Sequence, residues 1–273
     1  MTIFQALVLG LIQGLTEFFP VSSSAHMVLF PWLVGWNRPG VDLDLALHAG
    51  AFAALLVYFF SDWTRLLTAG LAVILERRVG FDRDRQVAMY LLLAMIPGIV
   101  IGFLVQEYAD TAQASPLLVA VALAFLGFLL YWVDGRAGSL RSIEELGQKD
   151  AFWIGMAQAA SVFPGISSAG SAITMGRFLG FARDAAARFA FLLAIPVLFG
   201  AIIFKFDDVI HLAQSTSLAW GPLVVSFFAA FFSGIAAIHF LLSHVRNGDF
   251  RMFAWYRLVL AVFVILFSVF SGR

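Results

Sequence analysis

Gln13, Glu17, Ser22, Ser23, Ser24 and His26 stand in one short segment, Gln-Gly-Leu-Thr-Glu-Phe-Phe-Pro-Val-Ser-Ser-Ser-Ala-His, with apolar sequence running away on both sides. A carboxylate, a carboxamide, three hydroxyls and an imidazole are enough for hydrolytic chemistry. Glu17 follows Gln13 by four residues, so a helix sets both on one face. Pro20 stops that helix, and Ser22, Ser23 and Ser24 are good N-caps for the next. The restarted helix aims its free amides and positive dipole end at the break, which makes an anion site. His26, one turn further, can protonate an oxygen leaving group when charged; when neutral it can attack or activate a nucleophile. Taken singly, each residue has a plainer reading as a cap, a satisfied core histidine or a carboxylic acid kept neutral by burial. Their concentration around one break, in a setting where ionisable groups are costly, points to a functional site.

A second break, Phe163-Pro164-Gly165-Ile166-Ser167-Ser168-Ala169-Gly170, sets Ser167 and Ser168 ahead of another helix start. Two helix N-termini converging on one anion suit phosphate chemistry better than acyl transfer, and the chain has no nucleophile elbow. His48, His239 and His244 lack comparable company, and core or interfacial roles are expected for them.

The elements that must position these residues lie in lipid. The chain is 62% hydrophobic and 12% charged, with 30 phenylalanines among 273 residues. A soluble domain carries about 25% charge, so the fold class is an all-α polytopic membrane protein. Zero net charge gives no field for nucleic acid. The absence of cysteine excludes disulfides, zinc thiolates and iron–sulfur clusters. The N-terminus lacks signal-peptide features, so the first apolar stretch is expected to stay in the mature protein.

Six spans are expected at 44–60, 87–106, 116–134, 185–205, 219–243 and 252–271. Residues 3–35 and 151–180 are each interrupted by proline and serines into halves too short to cross, which reads as two re-entrant helical hairpins. Gln13 precedes Pro20 by seven residues and Gln158 precedes Pro164 by six. Three spans separate the hairpins and three follow the second. One membrane domain over 1–273, with inverted repeats at 1–134 and 150–273, is the expected organisation. Arg65, Arg77, Arg78, Arg83 and Arg85 mark 61–86 as cytoplasmic, and Arg136, Arg141 and Lys149 mark the loop after the third span likewise. Arg177, Arg183 and Arg188 cluster where the second hairpin returns inside, and Arg246 and Arg251 mark a further inner loop. Glu107, Asp110, Asp207, Asp208 and His211 suit outer loops. Both termini and the mouth of the first hairpin are then outside, with only Arg273 out of pattern. Trp32, Trp36, Trp63, Trp132, Trp220 and Trp255 fall near span ends, as an aromatic belt requires.

With these residues in view, the chain resembles the undecaprenyl-diphosphate phosphatase family of bacterial envelope enzymes. The segment Gln13–His26 is similar to that family's signature of Gln or Glu, a Glu four residues on, then Pro-Val-Ser-Ser-x-x-His. The likeness continues through Leu47-His48-Ala49-Gly50, Pro164-Gly165-Ile166-Ser167 and Phe191-Leu192-Leu193-Ala194-Ile195-Pro196. It implies hydrolysis of undecaprenyl diphosphate to the monophosphate and inorganic phosphate at the outer face of the bacterial inner membrane. It also implies dependence on a divalent cation, magnesium or calcium. By position, Glu17 and Gln13 would hold metal or water, and His26 or Ser22 would act in catalysis. Ser23, Ser24, Ser167, Ser168 and Thr174 would hold phosphate oxygens. The expected partners are the bilayer and a polyprenyl diphosphate lipid, with a homodimer compatible and no nucleic acid.

The family pattern Pro-Gly-x-Ser-Arg-Ser-Gly is broken here, because Ser168 and Ala169 replace Arg and Ser. The lost guanidinium would have clamped the diphosphate bidentately. Its loss removes transition-state stabilisation worth about 3 kcal/mol. Ala172 also stands where the family has threonine, with Thr174 two residues on. Arg177 lies roughly 13 Å along the helix from position 168 and is expected to snorkel toward the cytoplasm rather than replace the clamp. The alternative to hydrolysis is a catalytically altered member that binds or translocates a polyprenyl phosphate.

Overall fold

The computed structural model describes the backbone of residues 1–113, 115–138, 141–215 and 219–271, and the side chains of these apart from 106–113, 204–209, 211–215 and 271. The side chains of Glu107, Asp110, Asp207, Asp208, His211 and Arg273 therefore lie outside the described residues. Helix α1 (Ile3–Phe18) opens with a capping box between Thr2 and Gln5 and ends two residues before Pro20. Helix α2 (Ser23–Val34) starts from Ser22 and stops at Gly35, whose φ of +70° needs no Cβ relief.

Among the described residues, six later helices are long and apolar enough to cross a membrane. They are α3 (Val41–Tyr58), α5 (Arg83–Gln113), α6 (Pro116–Arg136), α9 (Arg183–Ser215), α10 (Trp220–Asn247) and α11 (Arg251–Ser271). Their apolar stretches match the six spans expected from sequence. Between α3 and α5 lies α4 (Phe60–Glu76), in a segment read from sequence as part of an inner loop. It buries Leu66 and Val73 and leaves Leu67, Leu71, Ile74 and Leu75 exposed. Its charged first turn and short length keep it below the template for a span. The second broken segment folds as α7 (Gln148–Ala159), a 3₁₀ turn at 160–162, and α8 (Ser168–Phe178).

Both broken pairs are held by close backbone contact with a span from elsewhere in the chain. Helix α1 lies along α10, and α7 lies along α5. A Cβ on Gly155 would collide with the Ala94 carbonyl, and one on Gly10 would sit 2.7 Å from the Ser226 carbonyl. In each case the glycine stands three residues before the glutamine of its break, Gln13 or Gln158. Small residues at such crossings let helix axes approach closely, the main source of packing energy in lipid. Helix α6 pairs with α11, and α3 packs on both α10 and α9. The main core runs between them, with Phe18 edge-on to Phe191 at 5.8 Å.

At the end of the bundle where α6 and α8 finish, Asp134 collects the bonds of three segments. Its carboxylate accepts from Arg177 at 2.7 Å, from Arg183 at 2.9 Å and from the Phe250 amide at 3.1 Å. The expectation that Arg177 snorkels to the cytoplasm is thus corrected. It is 1% exposed and donates to the Phe181 and Ala137 carbonyls as well. Burial is tolerable because Asp134 supplies the countercharge and the carbonyls satisfy the remaining N–H groups. The arginine remains a strut and takes no part at position 168.

Candidate active site

The two helix breaks meet. A Cβ on Gly170 would lie 3.4 Å from Pro20 Cβ, so the starts of α2 and α8 are neighbours across the bundle. Each start is capped by serine. Ser22 Oγ accepts the Ala25 amide at 3.3 Å, and Ser167 Oγ accepts the Gly170 amide at 2.9 Å. Ser22 holds φ at +75°, a conformation disfavoured for a residue with a side chain, and so stores strain where the chain turns into α2.

Glu17 stands at the end of α1, just before the first break. Its Oε2 accepts Ser23 Oγ–H at 2.6 Å and Gln13 Nε2–H at 2.9 Å. Gln13 is fully buried, and its Oε1 has no partner. A buried amide oxygen left unsatisfied is costly, so this atom is a vacant acceptor beside a carboxylate. Ser24 shares a hydroxyl bond of 3.1 Å with Ser22.

His26 is 8% exposed and bonded at both nitrogens. Nδ1 lies 2.7 Å from the Ser22 carbonyl, which can only accept, so Nδ1 carries the hydrogen. Nε2 is then the acceptor for the Tyr256 hydroxyl at 2.6 Å when the ring is neutral. The next residue, Arg257, sends its guanidinium into the breaks, donating to the Pro20, Gly165 and Leu123 carbonyls.

On the second break, Gln158 donates to Ser168 Oγ at 2.9 Å. Thr174 Oγ1 donates to the Gly170 carbonyl at 2.6 Å, which ties it to its own helix. Ser171 Oγ is buried without a partner. An apolar cavity of about 580 Å³ between α5, α7 and α9 is lined by Gly98, Gly102 and Gly200 among others and has Gln158 in its wall.

The structure brings Gln13, Glu17 and Ser23 into one hydrogen-bonded group and His26 beside Ser22, with Ser167 and Ser168 at the facing helix start. Tyr256, Arg257 and Gln158 belong to the same constellation but were not among the sequence candidates for the site. Arg257 had a usable signal: it is an ionisable residue inside a span, the rule that singled out Glu17.

A divalent cation fits the residues present. Glu17 and the orphan Gln13 Oε1 offer hard oxygen donors one helical turn apart. No group of three or more His, Cys, Asp or Glu side chains suited to a metal occurs among the described residues. A cation here would keep water and take substrate oxygens, as magnesium commonly does.

The family model described as bacitracin resistance protein BacA matches residues 6–263. An undecaprenyl-diphosphatase of Pelotomaculum thermopropionicum is 40% identical over 98% of this chain and 97% of its own length. A protein of the same name from Gemmatimonas aurantiaca is 40% identical over the full length of both chains. Another, from Idiomarina loihiensis, is 37% identical over 97% of this chain and 99% of its own.

Proposed function

This chain belongs to the bacitracin resistance protein BacA family, and on that premise we propose that it hydrolyses undecaprenyl diphosphate to undecaprenyl phosphate and inorganic phosphate. The observation that carries the reading is the meeting of two serine-capped helix starts beside Glu17 and His26. Two helix N-termini offer a diphosphate their free amides and dipole ends, and the hydroxyls around them offer further donors.

In this reading Glu17, bonded to the Ser23 hydroxyl, holds that oxygen and is placed to take its proton. His26, fixed by the Ser22 carbonyl, presents Nε2 for proton transfer through the Tyr256 hydroxyl. Gln158 orients Ser168 toward the same pair of helix starts. A magnesium or calcium ion held by Glu17 and Gln13 would neutralise diphosphate charge and polarise the phosphoryl group. The apolar cavity with Gln158 in its wall gives the polyprenyl chain a place beside the site.

The protein is a multi-pass membrane protein. The interrupted helix pairs act as re-entrant hairpins of two inverted repeats in this proposal, in the bacterial inner membrane with the site facing outward. Support comes from the matched glycine crossings of α1 on α10 and α7 on α5.

The test is phosphate release from undecaprenyl diphosphate by purified protein in detergent, with and without magnesium or calcium. Glu17→Ala and His26→Ala are expected to lose release by about 100-fold or more while eluting and melting as folded protein. Wild-type turnover in both variants would remove the proposed site. Release unaffected by a chelator would remove the cation.

A further inference from the structure

We infer that Arg257 is the positioning residue of this site, and that its charge stands in for the arginine that Ser168 replaces. The inference rests on the reading that the two breaks hold a diphosphate. Arg257 Nη1 donates to the Pro20 carbonyl at 3.0 Å and Nη2 donates to the Gly165 carbonyl at 2.9 Å. Pro20 stands two residues before the Ser22 cap, and Gly165 stands two residues before the Ser167 cap. One planar group therefore grips the corresponding carbonyl of each break, while Nε anchors it to Leu123 on α6 at 3.2 Å. The rigid fork of a guanidinium fixes the spacing and register of the two helix starts. A lysine, with its donors on one atom, cannot.

The charge is the second half of the argument. Among the described residues, the bundle buries two arginines almost completely, Arg177 and Arg257. Arg177 is neutralised by Asp134 at 2.7 Å. Among the described residues, Arg257 is bonded to three carbonyls and to no carboxylate. A buried cation without a countercharge is destabilising on its own. It is suited to a cavity whose ligand arrives as an anion. A guanidinium has five N–H donors, so one on each terminal nitrogen remains beyond the three bonds described. The positive charge that the family motif would place at position 168, on the second break, is here delivered from α11 to the seam between both breaks.

The experiment compares wild type with Arg257→Lys, Arg257→Met, Ser168→Arg and the double variant Arg257→Met/Ser168→Arg. Each is checked for monodisperse elution, then measured for affinity to undecaprenyl diphosphate and, separately, for phosphate release. Arg257→Lys keeps the charge and is expected to bind within a few-fold of wild type while kcat falls about 100-fold, the effect of misplacing the site by about 1 Å. Arg257→Met is expected to lose at least about tenfold in affinity, and Ser168→Arg to restore most of it in the double variant, which a purely structural strut would not allow. Wild-type kcat in folded Arg257→Lys overturns the positioning role. A folded double variant that binds no better than Arg257→Met overturns the charge role. Should the methionine variants fail to fold, the polar neutral pair Arg257→Gln and Arg257→Gln/Ser168→Arg decides the same point: a folded double variant that binds no better than Arg257→Gln overturns the charge role. A wild type that binds the lipid without releasing phosphate overturns the hydrolase reading and leaves the affinity comparison intact. One that binds no diphosphate lipid overturns both.

Discussion

At the scale of single residues, the arrangement around His26 makes a sharp demand on Tyr256. Its hydroxyl is the partner of Nε2, the nitrogen left without a hydrogen. Tyr256→Phe removes that bond and keeps the ring. The expected result is a fall in kcat of about tenfold with little change in KM, the worth of one hydrogen bond. Steady-state phosphate release over a range of lipid concentrations checks it, and an unchanged kcat would make Tyr256 a packing residue. Glu17, His26 and the serines were legible in the sequence because they interrupt an apolar background within a few residues of one another. Tyr256 was not, because its partner His26 is 230 residues away; Arg257 carried the signal of a charge inside a span, but its partners, 92 to 237 residues away, were not readable. In the chain, a tyrosine near a span end looks like an interfacial aromatic, and a neighbouring arginine looks like a topogenic charge.

At the scale of elements, the interrupted helices depend on foreign spans for their position. Gly155 allows α7 to touch α5, and any larger side chain must push the Ala94 backbone away. Gly155→Leu is expected to lower the melting temperature in detergent, with a cost at the upper end of the roughly 1–3 kcal/mol of overpacking, and to reduce activity in proportion to misplacement of Gln158. An unaltered melt would mean that α7 is loosely held. The number and place of the spans were readable from hydropathy, since 20 apolar residues have few other uses. Which span each broken helix would choose was not readable: Gly10, Gly14 and Gly155 advertise a close approach and say nothing of the partner. Helix α4 escaped because its apolar run, 66–75, is too short to span and is bracketed by Asp62, Arg65 and Glu76, and it buries only Leu66 and Val73.

At the scale of the whole molecule, one end is closed by the Asp134 cluster, which joins α6, α8, α9 and the turn into α11. Asp134→Asn leaves Arg177 buried without a countercharge. The expected cost is about 3–5 kcal/mol, seen as a large drop in melting temperature well away from the breaks. A variant as stable as wild type would show that water reaches the cluster. The orientation is tested independently. The native chain has no cysteine, so Arg78→Cys, exposed between α4 and α5, provides a single labelling point. Modification by an impermeant thiol reagent is expected only in opened cells, and labelling of intact cells would invert the arrangement.

The bonds of Arg257 also order events in time. A ribosome delivers this chain from its N-terminal side, so Gln13, Glu17, the serines and His26 emerge long before α11. Until then the Pro20 and Gly165 carbonyls lack the group that joins them, and His26 lacks its tyrosine. With the proposed site, competence therefore arrives only with the last helix. A chain terminated near residue 250 retains every candidate the sequence advertises and, on the proposed reading, is expected to release no phosphate.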